Sequence, residues 1–227
     1  MKVDYIEHMG GDITVVNSAR VSFDKDGLNS GTTLSEFKLK EKDKKLIKFL
    51  AKHDHFTPFT HSMVTLKERV PIFVARQRFK HVIGFTYNEV SRRYVSDMPD
   101  FHVPSKWRYR PENIKQGSST TEFISSFKDS VDSSIDKAYI MHIIESKSLY
   151  EKMINSGVCP EQARMVLPQS MMTEYYVTGS LYAWARAFNL RKKPTAQLEI
   201  QELSTHWGRI VGDLFPVSWD ALTNEGE

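Results

Sequence analysis

The segment Ile72–Tyr94, IFVARQRFKHVIGFTYNEVSRRY, crowds Arg76, Arg78, Lys80, His81, Asn88, Glu89, Ser91, Arg92 and Arg93 among Phe79, Phe85 and Tyr87. Surface helices ordinarily keep charged and apolar residues on separate faces, so a stretch this mixed has to be built into something more specific than a wet face. Pro71 suits a helix start, and Ile72, Ala75 and Phe79 recur at helical spacing, which predicts a short amphipathic helix. Arg76 and Lys80 then lie one turn apart on one side. Gly84 breaks the pattern. If the following residues are extended, Glu89, Ser91 and Arg93 point to one face and Asn88, Val90 and Arg92 to the other. An acid, a hydroxyl and a guanidinium on one face suit a ligand that is polar at one end and anionic at the other. The plainer alternative is a solvated basic face with a surface ion pair of little energetic weight.

The chain has 227 residues, enough for one large domain or two small ones with a substantial core. A formal charge of +3 is too mild for a dedicated nucleic-acid coat, but it favours anionic small molecules over cationic ones. Cys159 is the single cysteine, which rules out an intrachain disulfide and a Cys-rich zinc site. No apolar leader or membrane-length run is present, so a cytoplasmic location is expected, or the host cytoplasm if the source is viral.

Along the chain, 2–8 and 12–23 read as strands separated by Gly10-Gly11, suggesting a hairpin. Residues 27–33 read as a loop, and 34–52 as a lysine-rich helix burying Leu46, Phe49, Leu50 and His53. His53, His55 and His61 invite a metal hypothesis, but their spacing is interrupted by Pro58 and fits no zinc pattern; a ligand-lining loop is expected and no metal. Residues 63–70 read as a strand. Residues 96–119 form an irregular excursion, a lid or an oligomer contact. Helical spacing runs from Thr121 to Asn155 with one break, closed by Gly157. Pro160–Leu167 reads as a short helix with Arg164 among apolar neighbours, so a buried partner is expected for that arginine, either a bound anion or a carboxylate. Residues 169–178 read as a strand, Ser180 caps a helix, and Thr195 caps the last helix, carrying Leu203, Trp207, Ile210 and Leu214; a polar tail follows Pro216. One α/β (α+β) domain over residues 1–227 is expected, since no linker divides the chain.

The blocks HDHFTPFTH, NEVSRRY, SGVCPEQARMVLP and FNLRKKPTAQLEIQ, together with SARVSF near the start, resemble the flavin-dependent thymidylate synthases, the ThyX family, in order and approximate spacing. The resemblance spans nearly the whole chain. It implies a mainly antiparallel sheet packed by helices and reductive methylation of dUMP to dTMP. It also implies FAD as redox carrier, NADPH as reductant and 5,10-methylenetetrahydrofolate as carbon donor, in a homotetramer with active sites between subunits. Carried over by position, it places dUMP against Gln77, Lys80, Glu89, Val90, Ser91, Arg92, Arg93, Arg164 and Arg191. Ser91 and Arg191 would be catalytic, the latter favouring N3 ionisation of the uracil. FAD would meet His55, Thr57, Lys80, His81 and Glu89, and a second strip at Ser180, Leu181, Tyr182 and Arg186, where the identities differ from the family's.

Where the family usually has Arg-His-Arg, this chain has Lys80-His81-Val82. Lys80 keeps the charge without the planar fork, and Val82 cannot donate at all. Arg78, one turn before Val82, is expected to supply the lost cation towards FAD. Three rivals remain. A cysteine-dependent thymidylate synthase would need Cys159 as nucleophile, at a helix start that can lower a thiol pKa. A nucleic-acid-binding module would use the basic stretch and its aromatics, against the modest net charge. A ThyX-like enzyme could act on another pyrimidine or transfer a hydroxymethyl group.

Overall fold

The computed structural model describes residues 1–21, 39–95, 97–110, 117–119, 121–128 and 134–224. Its centre is a four-stranded antiparallel sheet in the order β1 (Lys2–Met9), β2 (Met63–Pro71), β6 (Met172–Ser180) and β3 (Phe85–Glu89). Alternation along β2 turns Val64, Leu66, Glu68 and Val70 inward, while β6 contributes Tyr175 and Val177. Against this face pack α6 (Leu181–Arg191), through Leu181 and Trp184, and α7 (Leu198–Leu214), through Ile200, Leu203, Trp207 and Val211. The expected mixed fold with an antiparallel sheet is thus the observed one. Among the described residues, no helix is long and apolar enough to cross a membrane.

Several local expectations fail for tertiary reasons. The proposed N-terminal hairpin is absent: β1 pairs with β2, and Asp12–Arg20 is a helix, α1, while residues 22–23 lie outside the described set. Its β-branched run reads locally as strand. Val15 and Val16 are nevertheless buried on α1, and the Asp12 carboxylate accepts the backbone N–H groups of Val217 (3.0 Å) and Ser218 (2.8 Å). That bond caps α8 (Pro216–Thr223), a helix where a polar tail was expected.

The lysine-rich helix, α2, begins only at Glu41 and ends at Lys52; it buries Asp43, Ile47 and Leu50, while Phe49 and His53 face solvent. The loop expected over 27–33 and the helix start over 34–38 lie outside the described residues. From Thr121 the expected helix is replaced by β5 (Phe123–Ile124), which pairs with β4 (Trp107–Arg108); α4 starts at Ile135 and ends at Asn155. The expected helix position Val131 lies outside the described set. Arg108 ties β4 to α7, its Nη2 donating to both Glu199 oxygens at 2.8 and 3.0 Å. Gln197, not Thr195, is the N-cap residue of α7, and β6 starts at Met172 rather than Gln169.

Candidate active site

The opening segment divides into three pieces. Pro71 stands just before α3 (Ile72–Arg78) and fixes an extended backbone there, since its ring holds φ near −70°. Val74, Ala75 and Arg78 turn inward from α3. Gly84, at φ +77°, turns the chain into β3; a Cβ there would meet Ala183 Cβ at 2.8 Å. β3 runs along β6 only as far as Glu89, so the extended reading through Arg93 is not what forms. Beyond β3 the backbone turns: Tyr94 N–H donates to Ser91 O (3.1 Å), and Ser91 Oγ accepts the Arg93 N–H (3.3 Å).

This turn forms one wall of a cavity of about 640 Å³ lined by Arg76, Glu89, Val90, Ser91, Arg92, Arg93, Arg164 and Thr173 over an apolar floor that includes Phe79 and Met171. Arg164 arrives on a 3-10 turn directly after α5 (Pro160–Ala163). Arg164 is exposed rather than buried, and among the described residues the carboxylate that was one of its two expected partners is missing; its Nε donates to Glu161 O at 3.2 Å. Among the described residues, Arg76, Arg92, Arg93 and Arg164 make no carboxylate pair. Glu89, the acid of this cavity, accepts Thr173 Oγ1 at 2.6 Å. Four guanidinium groups and one acid therefore line this cavity, a lining whose charge suits an anion. Arg76 was visible in the sequence only as part of the cluster. Thr173 gave no local signal, because only the β3–β6 pairing brings it to Glu89.

Gln77, the neighbour of Arg76 on α3, lines a different cavity of about 660 Å³ with Arg191, Arg108, Lys193 and Gln197. Arg191 Nη2 donates to Gln77 O (3.1 Å), and Arg191 Nε donates to His81 Nε2 (2.9 Å). An arginine N–H only donates, so that imidazole nitrogen is the acceptor and His81 is neutral here. Burial, then the charges of Arg191, Arg78 and Arg186, hold the His81 pKa down at about 4. Burial, and then Arg78, likewise lower the pKa of Arg191.

Two residues expected to touch FAD are otherwise employed. Arg78 is wholly buried: its Nε lies 3.4 Å from Glu68 Oε2, its Nη1 donates to Tyr87 Oη (2.5 Å), and its guanidinium carbon sits 4.3–5.1 Å from the ring centres of Phe85, Tyr87, Trp184 and Trp207. It therefore stabilises the core and does not replace the cation missing at Val82. Ser180 is buried and its Oγ accepts the Ala183 N–H (3.2 Å) as the cap of α6, which is the capping role expected for it. Lys80 stands exposed just past α3.

The remaining flavin-side positions gather elsewhere. His55, Thr57 and His61 line a cavity of about 410 Å³. His55, Phe56, Tyr182 and Arg186 line an adjoining one of about 170 Å³. Phe56 and Tyr182 stack at 5.3 Å, and the Arg186 guanidinium lies 5.9 Å over the Tyr182 ring. Flat apolar faces beside a hydroxyl, imidazoles and a guanidinium fit a dinucleotide with aromatic rings and phosphates. Phe56 escaped the sequence reading although it lies between His55 and Thr57. The histidines do not gather as metal ligands: among the described residues no group of three His, Cys, Asp or Glu is placed to hold an ion. Cys159 is exposed just before α5 and lines neither the arginine cavity nor that of Gln77 and Arg191.

A sheet-and-helix fold with an arginine-lined cavity and separate aromatic clefts is suited to the class of enzymes that act on anionic, ring-bearing substrates. Comparison makes this specific. Residues 4–217 match the family model described as thymidylate synthase complementing protein. The flavin-dependent thymidylate synthase of Thermosipho africanus is 34% identical over 220 residues, covering 96% of this chain and 88% of that protein. The enzyme of the same name from Thermotoga neapolitana is 33% identical over 221 residues, covering 97% and 89%. Among solved structures, the UMP/dUMP methylase PolB from Streptomyces cacaoi, bound with 5-Br dUMP, superposes with a TM-score of 0.79 at 26% identity, covering 98% of this chain and 94% of that one. The chain belongs to the flavin-dependent thymidylate synthase family.

Proposed function

We propose that this enzyme methylates dUMP to dTMP, taking its carbon from 5,10-methylenetetrahydrofolate and its reducing equivalents from NADPH by way of FAD. The observation that carries the reading is the cavity lined by Arg76, Arg92, Arg93 and Arg164 together with Ser91, where no carboxylate among the described residues pairs with the four arginines. Arg93 and Arg164 hold the nucleotide phosphate, for which guanidinium forks are the strongest protein donors. Glu89, oriented by Thr173, and Ser91 fix the nucleotide in register. Arg191 stabilises negative charge at N3 of the uracil, and the extra electron density makes C5 a nucleophile towards the methylene carbon. C5 forms that carbon–carbon bond and loses its proton, while the two carbon–nitrogen bonds that held the methylene carbon to the folate break and tetrahydrofolate leaves with the electron pairs. The flavin, when bound, supplies the hydride equivalent that completes the methyl group. His55, Thr57, Tyr182 and Arg186 are the residues that would hold it.

Gln77 and Arg191 line one cavity, whereas Ser91, Arg93 and Arg164 line another. Residues that serve one nucleotide but lie in two cavities of one chain support a site assembled from different subunits of a homotetramer. Exposed Ile140, Met141, Ile144 and Leu149 on α4 offer apolar surface for such contacts. We place the enzyme in the cytoplasm, with small-molecule partners and neither nucleic acid nor membrane.

The test is direct. Purified protein is expected to take up FAD, and added dUMP to perturb its visible band. With folate and NADPH, C5-labelled dUMP is expected to release tritium. Protein that binds no flavin defeats the reading. Tritium release with a hydroxymethyl product, or a preference for UMP, would redirect it to another one-carbon chemistry or pyrimidine.

A further inference from the structure

Arg191 closes α6 with a long side chain, and fixing an unheld arginine costs the rotamer freedom of that whole chain. Its partners are the Gln77 carbonyl (3.1 Å) and His81 Nε2 (2.9 Å), both supplied by α3 and the turn that follows it. Neither is a carboxylate. A neutral acceptor orients a guanidinium without cancelling its charge, whereas a carboxylate would satisfy the charge that a substrate anion should meet.

His81 is held in turn. Its carbonyl accepts Tyr87 Oη at 2.7 Å, and Tyr87 Oη also accepts Arg78 Nη1 at 2.5 Å. Arg78 is anchored on Glu68, whose two oxygens accept Trp207 Nε1 (2.8 Å) and Tyr175 Oη (2.6 Å). A run of hydrogen bonds therefore joins the buried ion pair to the tip of Arg191 through one tyrosine and one histidine. Among the described residues, the charges that bear on the His81 ring are Arg191 and Arg186 from α6 and Arg78 from α3, each of which favours the neutral ring, while Tyr87 from β3 holds the His81 carbonyl.

From this geometry we propose that His81 is a positioning residue for Arg191, its Nε2 accepting from the guanidinium and fixing it where it meets the uracil, with Tyr87 setting the place of His81. The proposal rests on the reading of Arg191 as the uracil-side arginine. It gives the middle residue of Lys80-His81-Val82 a task that the neighbouring substitutions leave intact, because the acceptor is the ring and the anchor is the backbone.

Three variants test it: His81→Leu, which removes the acceptor; His81→Gln, which retains a carbonyl acceptor; and Tyr87→Phe. Folding is followed by circular dichroism and flavin uptake by the visible band. His81→Leu is expected to remain folded, and kcat per flavin-loaded molecule to fall on the order of 100-fold, as for a misplaced catalytic group, with KM for dUMP little changed. His81→Gln should recover much of that loss, and Tyr87→Phe should show a smaller fall of the same kind. Equal losses in the leucine and glutamine variants, accompanied by lost flavin, would make His81 a flavin contact and overturn the proposal. Unchanged kcat in folded His81→Leu would also overturn it.

A second readout needs no turnover. Nitrogen-15 spectra of the ligand-free protein at neutral pH should show His81 protonated on Nδ1 and bare on Nε2; the opposite tautomer overturns the proposal. If that tautomer is found but Arg191→Ala retains full activity, it is the reading of Arg191 that fails, while the hydrogen bond stands.

Discussion

Arg78 Nε lies 3.4 Å from Glu68 Oε2, and both side chains are entirely out of solvent. Glu68 occupies an inward position of β2 where alternation calls for an apolar residue. It is tolerated because Arg78, Trp207 and Tyr175 all donate to it. Removing one member leaves the other uncompensated. Arg78→Ala should therefore destabilise the fold by roughly 3–5 kcal/mol. Urea unfolding measures this, and flavin affinity per folded molecule should stay near that of the unmutated protein. A stable variant that binds flavin poorly would return Arg78 to the cofactor.

Arg164 and Arg93 reach the anion cavity from separate elements. Arg164→Ala should weaken dUMP binding by about 1.5–3 kcal/mol, the usual range for a charge-assisted hydrogen bond, and Arg93→Ala similarly. Calorimetric titration at two salt concentrations tests this. The salt dependence should be shallower in the variants than in the unmutated protein, since each loses a screened charge contact.

Sites shared between subunits have a mixing signature. Assayed with dUMP well below KM, where weakened binding shows as lost rate, Arg191→Ala and Arg164→Ala should each be nearly inactive. An equal mixture, dissociated and reassembled, should regain about a quarter of full activity if each site draws these two residues from different chains. Recovery no greater than the sum of the two variants alone would place both residues in one chain's site.

His81 also gives a pH prediction. Its folded pKa of about 4 lies below the ordinary value of 6.5, so the unfolded chain binds this proton more readily. The contribution to stability is complete above pH 6.5 and falls as the pH drops from there towards 4. Thermal melts of the unmutated protein minus those of His81→Leu should show a difference that shrinks across that window. A difference that grows on acidification would mean that the folded ring is the better base.

Cys159 is exposed and stands apart from the arginine cavity and from that of Gln77 and Arg191. Cys159→Ala is expected to keep kcat and KM for dUMP close to those of the unmutated enzyme. A folded but inactive variant would point to a thiol nucleophile.

The sequence already carried the family, through blocks whose order and spacing local reading can compare, and with it the mixed fold. It also carried the amphipathic α3, the Ser180 cap and the α7 stripe, because helical periodicity and capping chemistry are local properties. It did not carry α1, whose isoleucine and valines favour strand until Val15 and Val16 are buried, nor the register that brings Thr173 to Glu89. The decisive case is a pair on one helix. Arg76 and Arg78 are the same residue type two positions apart, and the composition of the segment treats them alike. The tertiary structure sends Arg76 to an open anion cavity and Arg78 into a box of four aromatic rings beside Glu68. Residues two apart on a helix differ by about 200° in direction, and what lies in each direction is set by strands and helices distant in the chain. Sequence alone determined which kinds of side chain were available; packing decided which guanidinium meets a ligand and which one holds the core.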